Sequence, residues 1–187
     1  MKAVLRIAAV VAVTAGLTGC GGEELPDPLP SSVAPGLEAR DRALPADVLA
    51  GDAFDPDALT RLLDEAGYER GRERELSGHT DTIDHVIART LRFSEPAGAR
   101  SYLEWIDRHT IDLVGRTRPH DPLPLGEDAR LFELEPCSTC KKQLPTWVAA
   151  WRRGDAVGYL LVSGRDADSV SMLPLARAVD RSLSGNS

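Results

Sequence analysis

Residues 147–163 read WVAAWRRGDAVGYLLVS, and the fold is decided there. Residues 147–153 and 156–163 are two short runs rich in apolar, β-branched and aromatic side chains, the composition of strands. Gly154-Asp155 between them suits a tight hairpin turn. Because a strand turns successive side chains to opposite faces, Trp147, Ala149 and Trp151 share one face. Val157, Tyr159 and Leu161 share another. Working outward, residues 131–135 read as a further short strand, joined to the hairpin by the polar loop PCSTCKKQLPT. After the hairpin, Met172, Leu175, Ala176, Val179 and Leu183 recur on one face of a helix, with Pro174 near its start and Gly185 past its end.

The upstream half repeats this grammar. Residues 83–93 form a strand in which Ile83, Ile87, Leu91 and Phe93 share one parity and Val86, Ala88 and Thr90 the other. Residues 68–76, YERGREREL, lie between Gly67 and Gly78 and carry the charge expected of an exposed edge strand. Asp55 caps a helix with Pro56 in its first turn, and Leu59, Leu62, Leu63 and Ala66 follow at helical spacing. Ser94 and Pro96 open another, whose stripe runs through Ala99, Tyr102, Leu103, Ile106, Thr110, Leu113 and Val114. Residues 116–127, RTRPHDPLPLGE, read as a Pro-rich loop. The order is helix, two strands, helix, three strands, helix, with no internal repeat. It predicts an α+β fold: an antiparallel sheet of about five strands with three amphipathic helices packed on one face or one end of it.

The N-terminus has a different character. Lys2 and Arg6 precede an apolar run from Ile7 to Leu17 that ends in Leu17-Thr18-Gly19-Cys20. A positive start, a short apolar stretch and small residues before a cut site make a signal peptide. The run is shorter than the roughly 20 residues of a membrane span. Leu-Thr-Gly-Cys resembles the lipobox of bacterial lipoproteins. That resemblance implies cleavage before Cys20, diacylation of its sulfur and localisation at the cell membrane, facing outward. Two or three acyl chains hold a protein stably on a bilayer, each buried methylene contributing about 0.8 kcal/mol. Arginine outnumbers lysine 19 to 3, the skew of a GC-rich genome such as an actinobacterial one. The expected organisation is a signal peptide over 1–19, a lipidated N-terminus and Pro-rich tether over 20–46, and one domain over 47–187.

Of 187 residues, 42% are hydrophobic and 27% charged, which is enough for one core and too apolar for a disordered acidic tail. Losing Lys2 and Arg6 leaves 20 basic residues against 29 acidic ones, a net of −9. That balance, with 5% aromatic residues, argues against nucleic acid as a partner and against spreading on anionic lipid by overall charge.

With Cys20 on the anchor, Cys137 and Cys140 remain, and outside the membrane a disulfide between them is the default. So short a loop restrains the unfolded chain little, and the bond's work is to stiffen the connection between two strands. The redox reading has Lys141 and Lys142 beside a C-x-x-C pair to acidify a thiolate. Against it, the pair lies between strands rather than where a strand feeds a helix. One C-x-x-C supplies two of the four ligands of a structural zinc site. His79, Asp81, Asp84 and His85 cluster around a turn, where solvated charge is the plain explanation. There is no G-x-S-x-G, H-E-x-x-H, G-x-G-x-x-G or Walker loop, so neither catalytic nor metal residues are assigned and no cofactor is implied. Arg153-Gly154-Asp155, though an adhesion tripeptide, is turn chemistry at a hairpin tip. Trp147 and Trp151 belong to a core or sheet face; turned outward, they form a binding patch.

The expectation is a membrane-anchored, non-catalytic domain that binds, senses or scaffolds an unknown protein or small-molecule partner. The alternatives are a tethered thiol-disulfide oxidoreductase and a carrier of a small apolar ligand, the latter marked by a large apolar cavity between sheet and helices.

Overall fold

A computed structural model describes residues 25, 27–78, 80, 82–136 and 143–184. Seven strands form one sheet: β1 (Glu38–Ala43), β2 (Tyr68–Ser77), β3 (His85–Phe93), β4 (Thr117–His120), β5 (Glu127–Leu134), β6 (Thr146–Arg153) and β7 (Ala156–Ser163). Their spatial order is β1-β2-β3-β7-β6-β5-β4, and every neighbouring pair is antiparallel. The helices are α1 (Ala46–Gly51), α2 (Pro56–Glu65), α3 (Pro96–Val114) and α4 (Ser169–Ser184). The α+β class and the antiparallel sheet are as the sequence predicts, but the described residues form seven strands and four helices rather than five and three.

The helices also lie on both faces of the sheet. On one face, Leu49 of α1, Leu59 and Leu63 of α2, and Tyr102, Leu103 and Ile106 of α3 meet Leu91, Phe93, Val148, Val157 and Tyr159. On the other, Met172, Leu175, Val179 and Leu183 of α4 meet Val86, Ala88, Trp147, Trp151 and Leu160. The parity read from the two hairpin strands therefore holds, and both parities are apolar because both are covered. Gly158 leaves room on the α4 face for the Trp151 ring: a Cβ there would stand 2.6 Å from two of its atoms and 3.1 Å from Leu183 of α4.

Three elements lie where no apolar period announces them. β1 has six exposed residues, EARDRA, and its partner β2 is heavily charged. Their register sets Arg40 opposite Glu75, Asp41 opposite Arg74 and Arg42 opposite Glu73. Opposite charges across strands take the place of an apolar stripe. β2 is consequently not an edge: β1 covers it, and Glu73 and Arg74 are 4% and 7% exposed. β4 contains Pro119 and sits at the far edge, where a missing donor costs no ladder bond. The six-residue α1 follows directly on the buried Leu44, whose N–H donates to the Gly71 carbonyl at 2.8 Å.

The stretch expected to be a tether joins the fold from Leu25 onward. Leu25 and Leu29 are 5% and 0% exposed. Arg72 Nη1 donates to the Leu25 carbonyl at 2.8 Å, and Arg74 Nη1 to the Leu29 carbonyl at 2.6 Å. Smaller adjustments come at helix starts. Asp55 caps α2 as expected, accepting from the Ala58 N–H at 3.0 Å. Glu95, not Ser94, stands immediately before α3. α4 begins five residues before Pro174, which therefore lies inside it, and Asp168 accepts from the Ser171 N–H at 2.6 Å at its start. No helix among the described residues is long and apolar enough to cross a membrane.

Candidate functional site

On the α1–α2–α3 face, one row of side chains crosses four strands: Arg42 of β1, Glu73 of β2, Arg89 of β3 and Tyr159 of β7. A charged residue at a core-facing position needs a partner. Here Arg42 Nε donates to Glu73 Oε1 at 2.6 Å, and Arg89 Nε to Glu73 Oε2 at 2.5 Å. Asp52, just past α1, closes the ring: its Oδ2 accepts from Arg42 Nη2 at 2.9 Å and from Arg89 Nη2. Two cations and two anions balance. Burial opposes ionisation of Glu73, but the two guanidiniums win and hold its carboxyl below the usual range. Burial likewise opposes the Arg89 charge, and the neighbouring Glu73 carboxylate and tyrosine oxygens raise its pKa regardless.

Beside this ring lies a cavity of about 110 Å³, floored by Ile87, Arg89, Tyr159 and Leu161 and walled by Leu49, Asp52, Leu59 and Tyr102. An outer recess of about 260 Å³ also touches Ile87 and is bordered by Arg40, Arg42, Glu73 and Glu75. Tyr102 and Tyr159 are 4% and 7% exposed, and burial pushes both hydroxyls above their ordinary pKa. They remain neutral donors. Neither hydroxyl has a hydrogen-bond partner among the described residues, nor has Arg89 Nη1. Tyr68, by contrast, donates its hydroxyl to the Leu44 carbonyl. The Arg89 guanidinium carbon sits 5.5 Å from the Tyr159 ring centroid, so the cation and that ring are fixed together. Three polar groups thus line one small space without a protein partner.

The residues singled out by sequence lie elsewhere. Trp147 and Trp151 are 9% and 0% exposed on the α4 face, and Trp151 Nε1 donates to Asp180 Oδ1 at 3.0 Å. They are core residues, and the outward-facing patch does not form. Cys20, Cys137 and Cys140 lie outside the described residues; the loop carrying the pair is closed at its base by Gln143 Nε2 donating to the Glu135 carbonyl at 3.0 Å. His79 and Asp81 are likewise outside, while His85 Nε2 lies 2.9 Å from Glu75 Oε1. Among the described residues no group of three His, Cys, Asp or Glu side chains is placed to hold a metal ion.

The cavity residues did leave a signal. The apolar parity Ile87, Leu91, Phe93 passes through position 89, and the parity Val157, Leu161 passes through 159. An arginine and a tyrosine at core-facing positions mark a place where the core is interrupted.

No protein-family model matches this sequence, and no curated protein matches it significantly. In fold the chain is similar to the extracellular domain of PknH from Mycobacterium tuberculosis, with 11% identity, 80% of this chain and 86% of that chain covered, and a TM-score of 0.49.

Proposed function

We propose that this chain is a lipid-anchored extracytoplasmic binding domain that takes a small ligand into the cavity beside Arg89. The ligand has a carboxyl or amide head and a short apolar stem. The observation that carries this reading is the set of three partnerless donors, Tyr102 and Tyr159 hydroxyls and Arg89 Nη1, around one cavity. An acceptor oxygen satisfies them, and Leu49, Leu59 and Leu161 receive the stem. At about 110 Å³ the cavity is well below the roughly 300–1,000 Å³ of a drug-sized pocket, too small for a lipid-like cargo. Binding rather than catalysis is supported by the locked charge states. Glu73 is held ionised, and the tyrosines are held protonated. A general acid or base works with a pKa near the operating pH, and these groups have been moved away from it.

Butyrate and butyramide are the probes. A ligand that binds only the folded state raises the unfolding temperature with concentration. The intact chain responds to at least one of the two, and Tyr102→Phe/Tyr159→Phe does not. An intact chain that ignores both, or a variant that still responds, overturns the site. The anchor is tested separately, by mass spectrometry of the N-terminal peptide from native membranes. A diacylated Cys20 is expected, and an unmodified one refutes anchoring.

A further inference from the structure

The described part of the segment before β1 is docked on the fold. Leu25 and the residues from Asp27 onward lie against β2, tied by Arg72 to the Leu25 carbonyl, by Arg74 to the Leu29 carbonyl, and by both guanidiniums to Asp27 at 3.0 and 2.9 Å. Ser182 of α4 also reaches the Pro28 carbonyl at 3.4 Å. Leu25 is five residues from Cys20. A fully extended chain covers about 3.6 Å per residue, so the sheet edge holding Leu25 lies within about 18 Å of the lipid-bearing sulfur. A headgroup layer is about 5–7 Å thick on each side of the hydrocarbon. With Cys20 lipidated, this edge lies within reach of the bilayer surface.

At that edge is a groove of about 550 Å³, lined by Leu25 itself with Asp41, Arg42, Ala43, Arg70, Gly71 and Arg72; the Asp41 carboxylate is held by Arg74. Arg42 is committed to Glu73 and Asp52, and Arg72 to Leu25 and Asp27. Arg70 has neither an ion pair nor a hydrogen bond among the described residues, and its Nε is buried without a partner. An arginine fork suits phosphate oxygens. The mature chain is acidic overall and is repelled by an anionic surface, so an uncommitted cation beside the anchor is a local exception.

We propose that this groove seats the phosphate of an anionic phospholipid headgroup, fixing how the domain sits on the membrane. The proposal rests on lipidation of Cys20. It is tested with the lipidated protein in nanodiscs of phosphatidylcholine, with or without phosphatidylglycerol, doped with a paramagnetic headgroup lipid. The backbone amides of Ala43, Gly71 and Arg72 relax faster when phosphatidylglycerol is present. Arg70→Gln lowers that response about fivefold, and Arg70→Lys retains most of it. Equal relaxation in both lipids, or a full response from Arg70→Gln, overturns the proposal. So does saturation of the groove by soluble glycerol phosphate in the Cys20→Ser chain without any nanodisc effect, which makes the ligand a free phosphate ester. If Cys20 carries lipid and the amides do not respond, the seating fails and the anchor stands; an unmodified Cys20 removes both.

Discussion

Glu73 and the two tyrosine hydroxyls carry opposite obligations. The carboxylate is 5% exposed on its side chain and holds Arg42 and Arg89 in place. Removing it leaves the buried Arg89 guanidinium, with Arg42 beside it, to Asp52 alone, and breaking a buried pair costs about 3–5 kcal/mol. Glu73→Ala therefore lowers the denaturant midpoint by a large fraction of the domain's stability, as chemical unfolding will read. The hydroxyls of Tyr102 and Tyr159 hold nothing. Tyr102→Phe and Tyr159→Phe leave the thermal midpoint unchanged or raise it, since each removes a buried donor with no protein partner. Loss of stability comparable to Glu73→Ala would show that the hydroxyls are structural. The same groups set the pH response. Glu73, Asp41, Asp128 and Asp168 have folded-state pKa values below their ordinary ones. Such groups stabilise the fold above the unfolded value near about 4 and lose that contribution as pH falls through the folded value. The buried tyrosines are shifted the other way, and their contribution is present below about pH 10 and lost above it. Stability is therefore flat across neutrality and falls at both ends, a profile that unfolding titrations across pH will trace.

At the level of elements, period and cap rules located what is apolar and missed what is held by charge. The hairpin, β3, α2, α3 and α4 have an apolar face on the covered side, and their side-chain parity was legible. β1 was not, because EARDRA has no apolar alternation and becomes a strand only against the complementary charges of β2. β4 was hidden by Pro119, which an edge strand tolerates. The cavity was half legible: Arg89 and Tyr159 interrupt apolar parities, but only the fold sets Asp52 and Tyr102 beside them. Two elements give sharp tests. Asp168 caps the first turn of α4, and Asp168→Ala costs about 1 kcal/mol, seen as a lower midpoint that converges with the parent chain at acid pH. Gly158→Ala drives a Cβ into the Trp151 ring and costs about 1–3 kcal/mol by overpacking. Trp151→Leu in the same chain should recover part of that loss by opening space for the methyl.

Across the whole molecule, the segment before β1 is strapped onto the sheet rather than standing off it. Leu29 and Leu44 are both fully buried, and each contributes about 1.5–3 kcal/mol by leaving water. Arg74 holds Asp41, Asp27 and the Leu29 carbonyl together in one site. A chain starting at residue 25 is expected to unfold like one starting at residue 20. A chain starting at residue 47 loses β1, Leu29 and Leu44, strands Glu73 and Arg74, and is expected not to fold cooperatively. Equal stability of the two would return residues 20–46 to the role of a tether. The strap matters for function because Arg42 of β1 and Asp52 beyond α1 are the outer half of the ring that positions Arg89. The cavity depends on a strand that a boundary drawn at residue 47 would discard.

The account stands or falls on that cavity, and a crystal structure of the mature chain grown with butyrate tests it most directly. The prediction is a carboxylate held by the Tyr102 and Tyr159 hydroxyls and Arg89 Nη1, with its stem against Leu49, Leu59 and Leu161. A cavity that stays free of butyrate while its tyrosines and arginine find protein partners would contradict it.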